Sequence, residues 1–257
     1  MTTIDLNCDM GESFGAYKLG RDEDVIKFIS SANIACGWHA GDALVMNQSV
    51  QLAAANGVGV GAHPSYPDLM GFGRRNMDCT AEEIRNYVTY QIGALSGFCT
   101  ANGVKMRHVK PHGALYLTAV EDETVATAVA EAIVSVDPNL MYVAFAGPKG
   151  ALMTRIGEKL GLKVLYEAFP DRAYTPDGTL ASRRLPGAVI SDPNRVAERA
   201  LKMAKEGKVV ATDGTEIDLH AHTLCVHGDN PSAVEVVKTI RALLESNGIE
   251  VKPMGLS

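Results

Sequence analysis

Short apolar runs alternate with longer amphipathic stretches along the whole chain. Ile4–Cys8, Ala32–Cys36, Val58–Ala62, Met106–Lys110, Leu140–Ala144, Lys163–Glu167 and Thr223–Val226 are brief and bounded by turn residues. That is the pattern of parallel strands buried on both faces. The stretches between them carry helix signals. Thr80-Ala81-Glu82-Glu83 reads as a capping box, with Ile84, Tyr87, Val88, Ile92 and Leu95 following along one face. Asp192-Pro193 and Asn230-Pro231 place a capping side chain before a proline at the first helical position. Asn56-Gly57, Gly161 and Asn247-Gly248 sit where helices should stop.

Strands alternating with helices call for an α/β fold with a parallel sheet and helices outside it. Seven strands predict a TIM-like β/α barrel, with an open doubly wound sheet as the alternative. The 257 residues suit one barrel domain over 1–257, because such barrels need about 250 residues. Two segments break the rhythm. Residues 170–192 form a long polar loop, the kind that serves as a lid or binding segment. Val209–Ala211 and Glu216–Leu219 predict a β-hairpin within 209–219.

Charge and cysteine usage narrow the class. The formal net charge of -6 argues against a nucleic-acid surface, which needs a basic stripe. No apolar run reaches the roughly 20 residues needed to span a bilayer, and no basic segment leads into an apolar run at the start. Five scattered cysteines without a C-x-x-C pair fit reduced thiols in a cytoplasmic protein.

Ionisable residues crowd just past the predicted strands, where a β/α barrel builds its active site. Strand one runs into Asp9 and Glu12, strand two into His39, strand three into His63, and strand four into Lys110 and His112. Strand six ends in Glu167 with Arg172 beyond it, and strand seven leads to His227, Asp229 and Asn230. His108 lies within strand four, two residues before Lys110. Asp9 and Glu12 read as paired carboxylates for proton transfer or metal binding; the plain alternative is a turn cap and a solvated acid. Asp9, His39 and His63 are the candidate metal ligands, at a spacing that matches no tight motif. Lys110 places an ammonium at the barrel mouth, suited to a phosphate or an oxyanion, or to a structural ion pair with Asp9 or Glu167. Asp229-Asn230 opens a helix that could hold an anion, and Arg172 could clamp a carboxylate. There is no G-x-x-x-x-G-K-[ST] loop, no G-x-S-x-G elbow and no G-x-G-x-x-G fingerprint after strand one.

These same residues carry a resemblance. The blocks Asp5–Glu12, Asn33–Asp42, Gly61–Asp68, Phe72–Arg75, Val109–Tyr116, Glu167–Tyr174 and Cys225–Asp229, in order and at natural spacing, are similar to the LamB/YcsF family. Pro170 is a small departure from its pattern. The resemblance implies an irregular seven-stranded β/α barrel related to polysaccharide deacetylases. Members of that family serve as the A subunit of 5-oxoprolinase, a hydrolase that works with B and C subunits. The complex opens 5-oxo-L-proline to L-glutamate while hydrolysing ATP to ADP and phosphate.

On that reading Asp9, Glu12, His63, Lys110 and His112 are the catalytic candidates. His39, Glu167, Arg172, His227, Asp229 and Asn230 are the substrate- and nucleotide-binding ones. ATP is the expected cofactor, with Mg2+ or another divalent ion at Asp9 or Glu12. Two other readings stay open: a metal-dependent deacetylase acting on an N-acyl sugar, and a non-catalytic substrate-binding subunit.

Overall fold

The computed structural model describes residues 2–226 and 233–256. Its elements run β1 (Thr2–Met10), α1 (Asp22–Val25), β2 (Ser31–Ala35), α2 (Ala43–Ala55), β3 (Gly59–His63), α3 (Ala81–Ala101), β4 (Met106–Val109), α4 (Gly113–Glu121), α5 (Glu123–Val136) and β5 (Met141–Phe145). There follow α6 (Ala151–Lys159), β6 (Val164–Ala168), α7 (Pro193–Glu206), β7 (Lys208–Val210), β8 (Glu216–Asp218), β9 (Thr223–Val226), α8 (Ala233–Ser246) and β10 (Ile249–Val251). Strands β1 to β6 pair in sequence and β9 closes the ring between β6 and β1, every pairing parallel. The result is a closed seven-stranded, TIM-like barrel.

The predicted strands sit within two residues of their observed bounds, and the hairpin is β7 with β8. The capping box at Thr80 and Glu83 forms, and Asp192 accepts from Arg195 N ahead of Pro193. Three features were not anticipated. The first helix is a single turn, two helices separate β4 from β5, and β10 adds outside the ring against the start of β1.

Register and alternation decide what fills the barrel. Asp5, Asn7 and Asp9 are two apart on β1, so they share one face. Their lateral neighbours are Thr223, Ser31, Cys225 and Asn33, and Asn33 lies beside Gly61, which lies beside His108. These side chains face inward, where barrels usually pack Val, Ile and Leu. Met141, Val143, Leu165 and Met254 form a small apolar cluster of their own. The larger apolar cluster takes in Leu6, Cys8, Ile34, Val60 and Val109 together with Val50, Val88, Ile133 and Ile240 from the helices. A polar interior therefore sits inside a hydrocarbon sleeve. Gly61 is required there, because a Cβ would fall 2.2 Å from the His108 ring.

The 170–192 segment carries isolated bridges but no helix or strand, and it is pinned from within. Arg172 pairs as an isolated bridge with Val189 and Tyr174 with Leu180. The Arg172 guanidinium donates to the carbonyls of Ala181 (2.7 Å) and Ala188 (3.3 Å). Arg199 of α7 donates to Pro170 O and Arg172 O.

Candidate active site

The carboxyl ends of β1, β3, β4, β6 and β9 bring their ionisable residues to one centre, with Lys110 in the middle. The Lys110 ammonium is 3% exposed and lies 2.9 Å from both Asp9 Oδ1 and Glu167 Oε1. Cys225 Sγ is 3.1 Å away and Asn7 Oδ1 3.4 Å. Burial works against this charge, but the Asp9 and Glu167 carboxylates more than offset it and hold the Lys110 pKa well above its usual range. Burial also pushes the Cys225 thiol well up, so the sulfur is a neutral neighbour. Lys110 is thus surrounded by acceptors and forms ion pairs with both carboxylates named as its structural alternatives.

Asp9 links this cluster to the histidines. Its Oδ1 takes Lys110 and the Asn33 amide (2.9 Å), and its Oδ2 lies 3.2 Å from His63 Nε2. His63 Nδ1 is 2.6 Å from the Lys110 carbonyl and His112 Nε2 is 2.9 Å from the Phe72 carbonyl. A carbonyl can only accept, so both of these outer nitrogens carry hydrogen. The inner nitrogens, His63 Nε2 and His112 Nδ1, then approach each other at 3.0 Å with Asp9 Oδ2 beside them. Three acceptors converge, and one proton or one cation between them is what makes that arrangement favourable.

His39 completes the group. Its ring stacks on His112 at 3.8 Å and 5° and lies 4.0 Å from Glu12. It is fully buried, and neither of its ring nitrogens has a hydrogen-bond partner among the described residues. Burial, then the neighbouring imidazoles, holds His39 and His112 well below the ordinary histidine range, so both are neutral at physiological pH.

The loop after β3 builds the support. Phe72 has a left-handed backbone (φ 54°), uncommon for a residue with a side chain. That turn aims its carbonyl at His112, while its ring packs edge-on against His39 and His112. Gly73 (φ 63°) follows, and a Cβ there would come within 2.2 Å of Ser65 Oγ and 2.8 Å of His39 Cβ. Asp68, clasped by Arg75, accepts from Gly71 N through its side chain and from Gly73 N through its carbonyl.

The sequence profile of the LamB/YcsF family matches residues 4–256. The chain belongs to the LamB/YcsF family. A relative from Natranaerobius thermophilus, named as the A subunit of 5-oxoprolinase, is 58% identical over 255 residues, 99% of this chain and 98% of that one. The crystal structure of the lactam utilization protein from Thermus thermophilus is 48% identical, with a TM-score of 0.92 over 98% of this chain and all of that one. The peptidoglycan deacetylase PdaC from Bacillus subtilis shares the fold alone, at 11% identity and a TM-score of 0.50 over 98% of this chain and 88% of that one. The LamB/YcsF barrel and the deacetylase barrel are therefore one architecture.

Of the predicted site residues, Asp9, Glu12, His39, His63, Lys110, His112 and Glu167 come together. The Arg172 guanidinium gives two of its five N–H donors to loop carbonyls. His227, Asp229 and Asn230 lie outside the described residues. Asn7, Asn33, His108, Thr223, Tyr116 and the Phe72 carbonyl were missed as parts of the site. Burial, with Glu167 beside it, pushes the Tyr116 phenol well up, so it keeps its proton. For Asn7 a signal existed: it lies two residues from Asp5 and from Asp9 on the same strand.

Proposed function

We propose that this chain is the A subunit of a 5-oxoprolinase, opening the amide of 5-oxo-L-proline to L-glutamate within one barrel domain. The observation that carries this is the near full-length likeness to a relative of that name, together with a buried acid–base cluster at the barrel mouth. Lys110 holds Asp9 as a charged carboxylate, and Asp9 faces His63. His63 and His112 can therefore take a proton from water and return one to the leaving nitrogen. Glu12 stands beside His39 at the edge, and Glu167 balances the second charge of Lys110.

A five-membered lactam is a poor electrophile, and the reading couples its opening to hydrolysis of ATP to ADP and phosphate. The chain has no standard phosphate loop, so we assign the coupling to the assembled enzyme with B and C subunits. Transfer of the terminal phosphate of ATP to the amide oxygen, with ADP released, would activate the amide carbon. Water then adds, the C–N bond breaks as the ring nitrogen takes a proton, and a second water hydrolyses the resulting acyl phosphate to glutamate and phosphate. Five free thiols support a reducing, cytoplasmic setting, and among the described residues no helix is long and apolar enough to cross a membrane. The test is release of ADP and glutamate from 5-oxoproline, by this chain alone and then with its partners. Coupled release by the complex is expected. A complex that binds 5-oxoproline and releases no glutamate overturns the reading.

The convergence of Asp9, His63 and His112 favours one addition, a divalent metal ion. Both histidines donate their outer N–H to a carbonyl, which is how proteins orient imidazole ligands. Nitrogen donors suit an ion of the zinc class better than Mg2+, which prefers oxygen. His39 and Glu12 complete groupings whose ligand atoms lie within 4.8 Å of one another. A bound ion would occupy the inner nitrogens of His63 and His112 and so replace their proton-transfer role, and it would polarise a carbonyl or acidify a water. Metal analysis of the purified chain checks this: one ion per chain, lost in His63→Ala, is expected. A metal-free chain with full activity in the complex removes the ion. Acetate release from N-acetyl sugars would instead favour the deacetylase reading.

A further inference from the structure

The polar column inside the barrel reaches well below the catalytic groups. At its foot Asp5, 3% exposed, accepts from the hydroxyls of Ser30 (2.7 Å), Ser31 (2.6 Å) and Thr223. Thr223 Oγ1 in turn lies 2.6 Å from Asn7 Nδ2. Asn7 is fully buried; its Nδ2 also lies 3.1 Å from Glu167 Oε1, and its Oδ1 lies 2.7 Å from Asn33 Nδ2 and 3.4 Å from Lys110 Nζ. Asn33 Oδ1 takes His108 Nε2 at 2.8 Å.

Counting donors fixes the orientations of Thr223 and Asn7 in this network. A hydroxyl has one proton, and an ionised Asp5 can only accept, so Thr223 gives its proton to Asp5. Its oxygen must then accept from Asn7. That turns the Asn7 NH2 toward Thr223 and Glu167 and its carbonyl oxygen toward Asn33 and Lys110. Asn33 and Lys110 are the two donors that grip Asp9 Oδ1, which leaves Asp9 Oδ2 for His63. An amide passes on orientation but does not readily pass on protons, so the column is a scaffold and not a proton wire.

We propose that Asn7 is a positioning residue for Asp9: its amide oxygen accepts from Asn33 and lies 3.4 Å from Lys110, the two groups that hold that carboxylate, and Thr223 and Asp5 set the direction in which it points. The proposal rests on the 5-oxoprolinase reading for its assay and on hydrogen-bond counting for its content. It predicts an effect on the chemical step, because Asn7 lies beneath the groups that would meet the substrate.

The experiment uses the full chain reconstituted with its partner subunits, and compares Asn7→Leu, Thr223→Val and Thr223→Ser. Displacing a reacting group by about 1 Å can cost about 100-fold, so Asn7→Leu should lower kcat by roughly that factor while KM moves by less than about threefold. Thr223→Val, which keeps the shape and removes the hydroxyl, should lower kcat by roughly 10-fold, as loss of an orienting partner does. Thr223→Ser should restore it. In the chain alone, the 13Cε resonance of Lys110 should shift in Asn7→Leu and Thr223→Val and return in Thr223→Ser. That readout, and a thermal melt, do not depend on activity.

Wild-type complex without 5-oxoprolinase activity would sink the functional reading and leave the resonance test standing. Active wild type, with folded Thr223→Val matching it in both kcat and resonance, overturns the role of Asn7. Equal losses in Thr223→Val and Thr223→Ser overturn the hydroxyl argument.

Discussion

Replacing Lys110 with methionine leaves an unbranched side chain one atom shorter and removes its charge. In the structure that ammonium faces Asp9 and Glu167 at 2.9 Å each, with 3% of its side chain exposed. At an effective dielectric of about 20 each attraction is worth roughly 6 kcal/mol, and most of it is offset by desolvating the three charges. The variant does not recover that desolvation, because Asp9 and Glu167 stay largely out of water and lose the ammonium they share. Breaking a buried pair in this way costs about 3–5 kcal/mol, a large part of the stability of an ordinary domain. Urea unfolding followed by circular dichroism should show that loss in Lys110→Met, and turnover in the complex should vanish. Adding Glu167→Gln removes one of the stranded charges, so the double variant should be less destabilised than the sum of the two singles, by about 1–3 kcal/mol. A Lys110→Met protein within about 1 kcal/mol of wild type, below even the low end expected for breaking a buried pair, would refute the reasoning. Additive single and double variants would refute it equally.

Other predictions follow from the same geometry. Gly73→Ala forces a side chain into a left-handed backbone, about 1–2 kcal/mol in itself, and pushes Ser65 and His39 apart; lower melting temperature and lost activity are expected, and a wild-type melt would deny the close packing. Burial and the Lys110 charge hold His108 down to about 3, so its contribution to stability is present above pH 6.5 and is lost as the pH falls from there toward 3. Its ring resonances should stay those of a neutral imidazole at pH 5, and titration near 6.5 would contradict the buried placement. Asp5 has the opposite sign, since burial raises it from 3.8 to about 6. Its contribution is present below about pH 4 and is lost as the pH rises through 6, worth about 3 kcal/mol over that window. The stability of Asp5→Asn relative to wild type should therefore grow between pH 4 and 8 in urea titrations, and a flat difference would mean that Asp5 is not desolvated.

Much of this protein was legible in its sequence, and particular residues show why. The strands announced themselves because β/α packing buries both faces, leaving apolar runs such as Val58–Ala62 between turn residues. The caps at Thr80 and Asp192 are local chemistry and formed where they were read. The rim residues were legible for a positional reason: Asp9, His63, Lys110 and Glu167 end strands or follow them, and parallel strands in a barrel share one carboxyl end. Asn7, Thr223 and Asp5 were harder to see, because a polar residue inside a strand looks like a flaw in an apolar run until the inward face is known.

The sequence by itself determined the kind of protein: a β/α barrel of the LamB/YcsF family with ionisable groups on one rim. Those properties depend on short-range patterns and on the order of motifs, which the chain carries directly. Only the tertiary structure decided how the groups share their protons. Lys110 could have met a phosphate or a carboxylate, and closure of the ring gave it two carboxylates. Arg172 read from the sequence as a free clamp for a carboxylate, and the fold of its own loop took two of its five donors. Pairings such as Asn7 with Thr223, or Phe72 with His112, join residues far apart in the chain. Their distances depend on barrel register and on one left-handed turn, and no local pattern encodes either.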